Sequence, residues 1–314
     1  MMRLTDMRKN TSVLVVMILS GVSFFALASA GTSGAAFLKI IPTARISSLG
    51  NTGALISGLE SIFVNPAGLA AVDGSAITLS QVNWLEGINY SNLAWAKRFS
   101  CGTFGAGINY LLVPDIVKYD SSGNKLNETF APNDLAINFG YGRKAEISGL
   151  ESNIGVNLKF IKTTLDDKTA QAVALDLGYQ SEIANTPIWL GLAIQNLGTE
   201  LKFDRESDPL PLNIKLGLKY PLVLKQQEID LASDLNYTND SQFWAAAGVE
   251  YQKTFGAIST ALRLGWRSGV SGLSGYAGLA AGLGIGWRGY TLDYGFAPYG
   301  DLGDSHRITL GIRF

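Results

Sequence analysis

The chain has 314 residues and a formal net charge of −1, from 25 Lys and Arg against 26 Asp and Glu, so neither nucleic acid nor an acidic surface is an expected partner. Charged residues make up 16% against 47% apolar, where an ordinary soluble domain carries roughly 25% charged, and glycine is high at 36 residues. One cysteine, Cys101, and one histidine, His306, exclude a disulfide framework, a thiolate or His-based metal centre and a Ser-His-Asp hydrolase. The expectation is a non-enzymatic protein with no cofactor and no metal.

At the N-terminus, Arg3, Arg8 and Lys9 precede an apolar stretch from Val13 to Leu27 and a small-residue exit at Ala28-Ser29-Ala30. This is the layout of a secretory signal peptide over residues 1–30, cleaved after Ala30. A membrane anchor fits less well, because 15 residues at about 1.5 Å each rise only roughly 22 Å, short of the ~30 Å hydrocarbon core. Residues 31–74 do not alternate. They are rich in Gly and Ala and contain Phe37-Leu38-Lys39-Ile40, Leu49-Gly50-Asn51-Thr52-Gly53-Ala54 and Asn65-Pro66-Ala67-Gly68-Leu69. Pro66 pushes Asn65 into an extended conformation, from which the Asn amide bonds neighbouring backbone. This turn is read either as an ordinary helix start on a barrel rim or as the turn that holds a hatch (Asn65, Pro66, Ala67, Gly68).

From Ser75 onward, large apolar residues fall at every second position, the period of a β-strand. In 103–112, Phe104, Ala106, Ile108, Tyr110 and Leu112 oppose Thr103, Gly105, Gly107 and Asn109; 134–142 and 153–160 repeat the pattern. The same reading gives strands near 75–81, 89–99, 101–113, 132–143, 152–164, 170–180, 187–196, 210–222, 226–237, 243–253, 256–267, 275–287, 289–298 and 305–314. Most have the length of a tilted transmembrane strand, about 9–11 residues, rather than the 5 or 6 typical of a sandwich. The polar face carries Asp134, Asp176, Asp230, Asp234, Glu250 and Asp293 with Lys159, Lys215, Lys219, Arg263, Arg267, Arg307 and Arg313. Such a face belongs in a lumen, since Lys or Arg against mid-bilayer lipid costs about 2–4 kcal/mol. Glycines on it, among them Gly105, Gly107, Gly140, Gly142, Gly278, Gly282, Gly284 and Gly286, suit a narrow, curved wall with kinks. Short gaps alternate with long ones at 114–131, 197–209, 268–274 and 299–304, as periplasmic turns and outer loops do; the 144–151 gap fits least well. In lipid every backbone polar group must be paired, so the sheet must close. The fold class is all-β: a 14-stranded antiparallel transmembrane β-barrel over 75–314, with 31–74 as an N-terminal hatch. In the last strand Ile308, Leu310, Ile312 and the C-terminal Phe314 share one face, a candidate assembly signal.

The blocks FLKI, AR, LGNTGA and NPAGLA, the ending PYGDLGDSHRITLGIRF and the strand-end motif Ile194-Gln195-Asn196-Leu197-Gly198 together resemble the PorV/PorQ family of outer-membrane proteins. That family's barrel is similar to the long-chain fatty-acid transporter FadL, whose N-terminal hatch carries an NPA turn. The resemblance implies a bacterial outer-membrane protein serving type IX secretion or surface attachment of exported proteins, with the 114–131 and 197–209 loops in contact with cargo. Its implied partners are outer-membrane lipids, the outer-membrane assembly machinery, and secreted proteins or other secretion components. The alternative is a FadL-like transporter of small hydrophobic molecules, and an open aqueous porin is disfavoured by the hatch and the balanced lumen.

Two other motifs lead nowhere. Gly284, Gly286 and Gly289 match a dinucleotide fingerprint, but a strand follows where a helix is needed. His306 beside Asp304 and Ser305 lacks a serine elbow and reads as a hydrogen-bonding residue at a strand start. The six tryptophans tend to fall near strand ends, as an aromatic girdle would place them, and ordinary sheet packing explains most of them nearly as well.

Overall fold

The computed structural model describes residues 33–204, 206–225, 227–239, 242–270 and 276–314, and the expected signal peptide lies outside them. Its strands are β1 (Ser75–Asn83), β2 (Asn89–Phe99), β3 (Gly102–Leu112), β4 (Ile116–Tyr119), β5 (Lys125–Phe130), β6 (Asn133–Ile147), β7 (Leu150–Leu165), β8 (Lys168–Glu182) and β9 (Trp189–Gly198). They continue with β10 (Leu201–Lys202), β11 (Ser207–Asp208), β12 (Asn213–Leu224), β13 (Gln227–Thr238), β14 (Gln242–Phe255), β15 (Ile258–Arg267), β16 (Leu279–Trp287), β17 (Tyr290–Pro298) and β18 (Asp304–Arg313). Fourteen of them close an antiparallel barrel, while β4–β5 and β10–β11 are small hairpins in two of the loops. Each barrel strand matches one of the alternating runs, and β1 pairs with β18 to leave no edge. At that seam the Ser75 N–H donates to the Phe314 carbonyl at 2.8 Å and the Phe314 N–H returns to Ser75 at 2.9 Å.

Period 2 fixes which face meets which solvent. Leu79, Leu93, Ile108, Ile137, Phe160 and Val173 lie opposite one another across β1, β2, β3, β6, β7 and β8, forming one apolar row around the outer wall. Such residues stay open: Leu79 is 50% exposed, Phe139 52% and Leu264 67%. A soluble protein does not leave so continuous an apolar surface in water. Ten residues at about 3.3 Å, tilted about 40°, rise roughly 25 Å, the height of an outer-membrane apolar band. The opposite face carries the charges, and it points inward.

Turn lengths set the orientation. On the side of Ser75 and Phe314 the strands join through tight connections such as Ser148-Gly149 and Arg288-Gly289, both with positive φ. The doubtful 144–151 gap is one of these, because β6 and β7 run on to Ile147 and resume at Leu150. The other side holds the loops that carry the two hairpins and is the outer side. Gly278 belongs to neither wall: it sits in a turn before β16 with φ +93°, its carbonyl accepting from Arg267. Trp84 and Trp244 also depart from the girdle pattern, since both turn into the barrel, Trp84 against Tyr299 and Trp244 beneath Lys215.

Residues 33–74 lie inside the barrel. They form the one-turn helix α1 (Ala44–Ser48) and three short 3₁₀ turns, Ala36–Lys39, Leu59–Phe63 and Pro66–Ala71. Ile46, Ile62, Val64 and Leu69 are at most 1% exposed and pack with Ala76, Ala94 and Ala96 of the wall.

Candidate functional site

The lumen is layered along the barrel axis. In its outer half, on the arc from β1 to β8, Val82 on β1, Tyr90 on β2, Leu111 on β3, Ala136 on β6, Ile161 on β7, and Ala170, Ala172 and Ala174 on β8 form one buried apolar cluster, with Asp134 and Thr163 turned inward at its edge opposite Leu111 and Ala170. Phe37 of the N-terminal segment stands in this cup, edge-on to Tyr90 with ring centroids 6.3 Å apart. Leu201 and Leu210, from the loop between β9 and β12, fold over it with 1% and 3% exposure. Part of the 197–209 segment expected to contact cargo is therefore strand or mouth lining, which leaves less of it open to a partner.

Below the cup the wall turns polar. Asn109 donates to Asn92 at 2.5 Å, Asn138 to Asn109 at 2.7 Å and Asn157 to Asn138 at 3.1 Å, an amide ladder across β2, β3, β6 and β7. It ends on Asp176, which Lys159 meets at 2.8 Å, and Lys159 also donates to Asn196 at 2.7 Å. Asn196 has φ +62°, and here the β8–β9 register shifts; its N–H bonds the Asp176 carboxylate at 2.8 Å in place of a ladder partner. The opposite arc is ionic. Glu250 meets Arg263 at 2.6 Å, Arg263 meets Asp293 at 2.6 Å, and Lys219 meets Asp230 at 3.4 Å. Buried ions of this kind require partners, and the alternating register supplies them.

The N-terminal segment fills the level beneath. Short turns leave many backbone groups without a helical or sheet partner, and wall side chains satisfy them. Asp234 accepts from Gly53 and Ala54 N–H at 2.6 and 2.9 Å, while Gln180 donates to the Ala54 and Ile56 carbonyls at 3.1 and 3.0 Å. Asn157 reaches the Ile62 carbonyl, Gln195 that of Phe63 and Arg307 that of Ile41. Arg45 on α1 makes a two-pronged pair with Glu250 at 3.0 and 2.7 Å.

The four turn residues singled out in the sequence all lie here. Asn65 is 0% exposed and extended, and its Oδ1 accepts from the Ala67 N–H at 3.2 Å. Its Nδ2 donates to the Ala54 carbonyl at 2.6 Å and to that of Leu192, in the wall, at 3.2 Å. Pro66, Ala67 and Gly68 are buried with it. Wall glycines face this segment all the way round: Gly142↔Gly155↔Gly178, Gly191↔Gly217, Gly248↔Gly265 and Gly282↔Gly295 are register neighbours. A methyl group at Gly178 would come within 2.7 Å of the Ala67 nitrogen, at Gly248 within 2.7 Å of the Leu49 carbonyl, and at Gly295 within 2.8 Å of the Ala44 carbonyl. These glycines let two backbones touch, a requirement that kinks and curvature alone did not reveal.

On the periplasmic side a cavity of 380 Å³ is lined by charged groups including Arg45, Glu60, Lys219, Asp230, Arg263 and Asp293. Glu60 has an oxygen with no hydrogen-bond partner, and its carboxyl is held above the ordinary range, first by burial and then by Asp293, against the pull of Arg45. Among the described residues, no cluster of three or more His, Cys, Asp or Glu side chains could hold a metal ion. The terminal-strand residues Ile308, Leu310 and Ile312 face outward opposite Gln81, Leu79 and Ile77, and Phe314 is 70% exposed at the periplasmic rim. His306 accepts or donates a hydrogen bond with Tyr294 at 2.8 Å on the outer face.

No protein-family model and no curated protein matches the chain. Solved structures do. The toluene transporter TodX of Pseudomonas putida has 11% identity and a TM-score of 0.57 over 92% of this chain and 98% of its own. The toluene transporter TbuX of Ralstonia pickettii gives 11% and 0.52, over 87% of this chain and 98% of its own. The CymD monoaromatic hydrocarbon channel gives 11% and 0.55, over 87% and 97%. The shared property is the fold, and the architecture is that of a FadL-like bacterial outer-membrane barrel.

Proposed function

We propose that the chain is a non-enzymatic outer-membrane channel for small hydrophobic molecules, with residues 33–74 acting as its hatch. One observation carries this reading: on the arc from β1 to β8 the outer half of the lumen is lined by a buried apolar cluster from Val82 to Ala174, where an aqueous porin presents polar groups to its water. The fold neighbours include proteins described as toluene transporters and monoaromatic hydrocarbon channels, which is consistent with an apolar cup. A molecule leaving outer-leaflet lipid or water would enter beside Phe37, and the amide ladder and hatch would stop water and ions from following. The test is uptake of a labelled monoaromatic hydrocarbon by cells with and without the protein. Uptake that depends on the protein, and that falls when Ala172→Asp places a charge in the cup, supports the reading; uptake indifferent to both refutes it.

A second reading, secretion or surface attachment of exported proteins as the PorV/PorQ resemblance implies, draws on the β4–β5 hairpin. This hairpin stands outside the barrel sheet with Tyr119 63% exposed and Ile116 41% exposed, and would offer an edge to an exported protein. Surface-cargo release unchanged on removal of residues 116–130 would count against it. In either role the outward-facing Ile308, Leu310, Ile312 and Phe314 serve as the signal for the assembly machinery, and the cleaved leader directs export.

A further inference from the structure

Between the hatch and the wall of β9 and β12–β15, on the outer side, lies a separate cavity of 160 Å³. Among the described residues its charged lining is Lys39, Lys215 and Arg267, and its apolar lining includes Phe63, Val64 and Trp244. Lys215 is 1% exposed, yet its ammonium is poorly served: Asp234 stands at 3.5 Å, the Asn51 carbonyl at 3.4 Å, and the Trp244 ring lies 5.3 Å away. Ammonium–carboxylate bonds are ordinarily about 2.7–2.9 Å. Asp234 cannot close that gap, because the same oxygen already holds Gly53 and Ala54 N–H at 2.6 and 2.9 Å. Arg267 lies over the Tyr299 ring at 5.3 Å, an aromatic contact that does not neutralise its charge.

We infer that this cavity binds a ring-sized aromatic carboxylate, its acid group between Lys215 and Arg267 and its ring against Phe63, Val64 and Trp244. Size and chemistry point the same way. An apolar cavity of about 150 Å³ holds one benzene ring, which admits a ring and excludes a long acyl chain. An inorganic anion would leave the aromatic wall without a partner, and a neutral hydrocarbon would leave the ammonium with only its long contacts to Asp234 and Asn51. The inference rests on the channel reading and narrows it, giving the protein a station for aromatic acids beneath its apolar cup.

Calorimetric titration of the full chain in detergent tests this with three probes: benzoate, its neutral counterpart benzyl alcohol, and acetate, which has the acid and no ring. Saturable one-to-one binding of benzoate is expected, with each of the other two weaker by about tenfold or more, the worth of one charge-assisted bond or of the ring's burial. Lys215→Met should weaken benzoate by roughly the same factor. If that variant does not form a heat-modifiable barrel, Arg267→Gln replaces it, with loss in the same direction. Benzyl alcohol binding as well as benzoate, or benzoate binding unchanged in both variants, overturns the inference while leaving the hydrocarbon channel standing. Benzoate binding in a protein that leaves hydrocarbon uptake unaffected refutes the channel and keeps the site.

Discussion

Asn65→Ala isolates what one side chain contributes to seating the hatch. The Asn65 amide makes a 2.6 Å bond to the Ala54 carbonyl and a 3.2 Å bond to Leu192, and its oxygen takes the Ala67 N–H at 3.2 Å. Ala54 keeps a second donor in Gln180 at 3.1 Å, so its carbonyl is not stranded. The Ala67 N–H has no such substitute. Two lost bonds at about 1 kcal/mol each, plus at least ~1 kcal/mol for a buried donor without a partner, give about 3 kcal/mol. That corresponds to roughly a hundredfold shift from seated toward released hatch. The barrel's own ladder is untouched, so heat-modifiable mobility on a denaturing gel should persist. Cleavage of the hatch by added protease reports the released fraction when reseating is fast, and should accelerate by the same factor. A cleavage rate within about threefold of wild type would mean that Asn65 does not hold the segment, and the bond accounting behind it would be wrong.

Other consequences can be checked in the same preparations. Gly178→Val places a branched side chain where a single methyl already meets the Ala67 nitrogen; the hatch should be expelled and planar bilayers should show a higher ion conductance than with the wild type. Glu250→Gln removes the partner shared by Arg45 and Arg263, and urea unfolding should show a loss of about 3–5 kcal/mol for a broken buried pair. Because the Glu60 carboxyl is raised by burial, the seated hatch takes up a proton that the released one gives away. Seating is therefore favoured below the free carboxylate value of about 4.3 and weakens as pH rises through the raised one; Glu60→Gln should flatten protease sensitivity across that range. Phe314→Ala should lower the amount of protein assembled in the outer membrane without altering the heat stability of what is assembled.

The strands were legible because a period of two leaves an unambiguous trace when one face meets lipid and the other does not: β2 coincides with its sequence reading at both ends, Asn89–Phe99. Charges on the inward face were legible for the same reason. Which charge meets which was not, since pairing such as Glu250 with Arg263 depends on register between strands, and a single strand's sequence does not carry register. The hatch was recognisable as a non-alternating segment, but its path was not, because one-turn helices have no periodicity to read. Its footprint was nevertheless present in the wall glycines, whose common level emerges only when neighbouring strands are aligned. Trp84 and Trp244 misled because nearness to a strand end does not determine which face a side chain takes.

The seam between β1 and β18 joins the two ends of the barrel segment, and the hatch immediately precedes β1. In chain order the cork thus exists before the bottle has a last stave. Until Phe314 reaches Ser75 the sheet is an open sleeve with two unpaired borders, which hydrocarbon does not tolerate, and closing the seam completes the wall around the stopper. Once zipped, main chain lies against main chain at the wall glycines, and wall side chains such as Asp234 and Gln180 hold the stopper's backbone from the sides. Any opening of this lumen must then come from withdrawal of the stopper along the axis toward the periplasm.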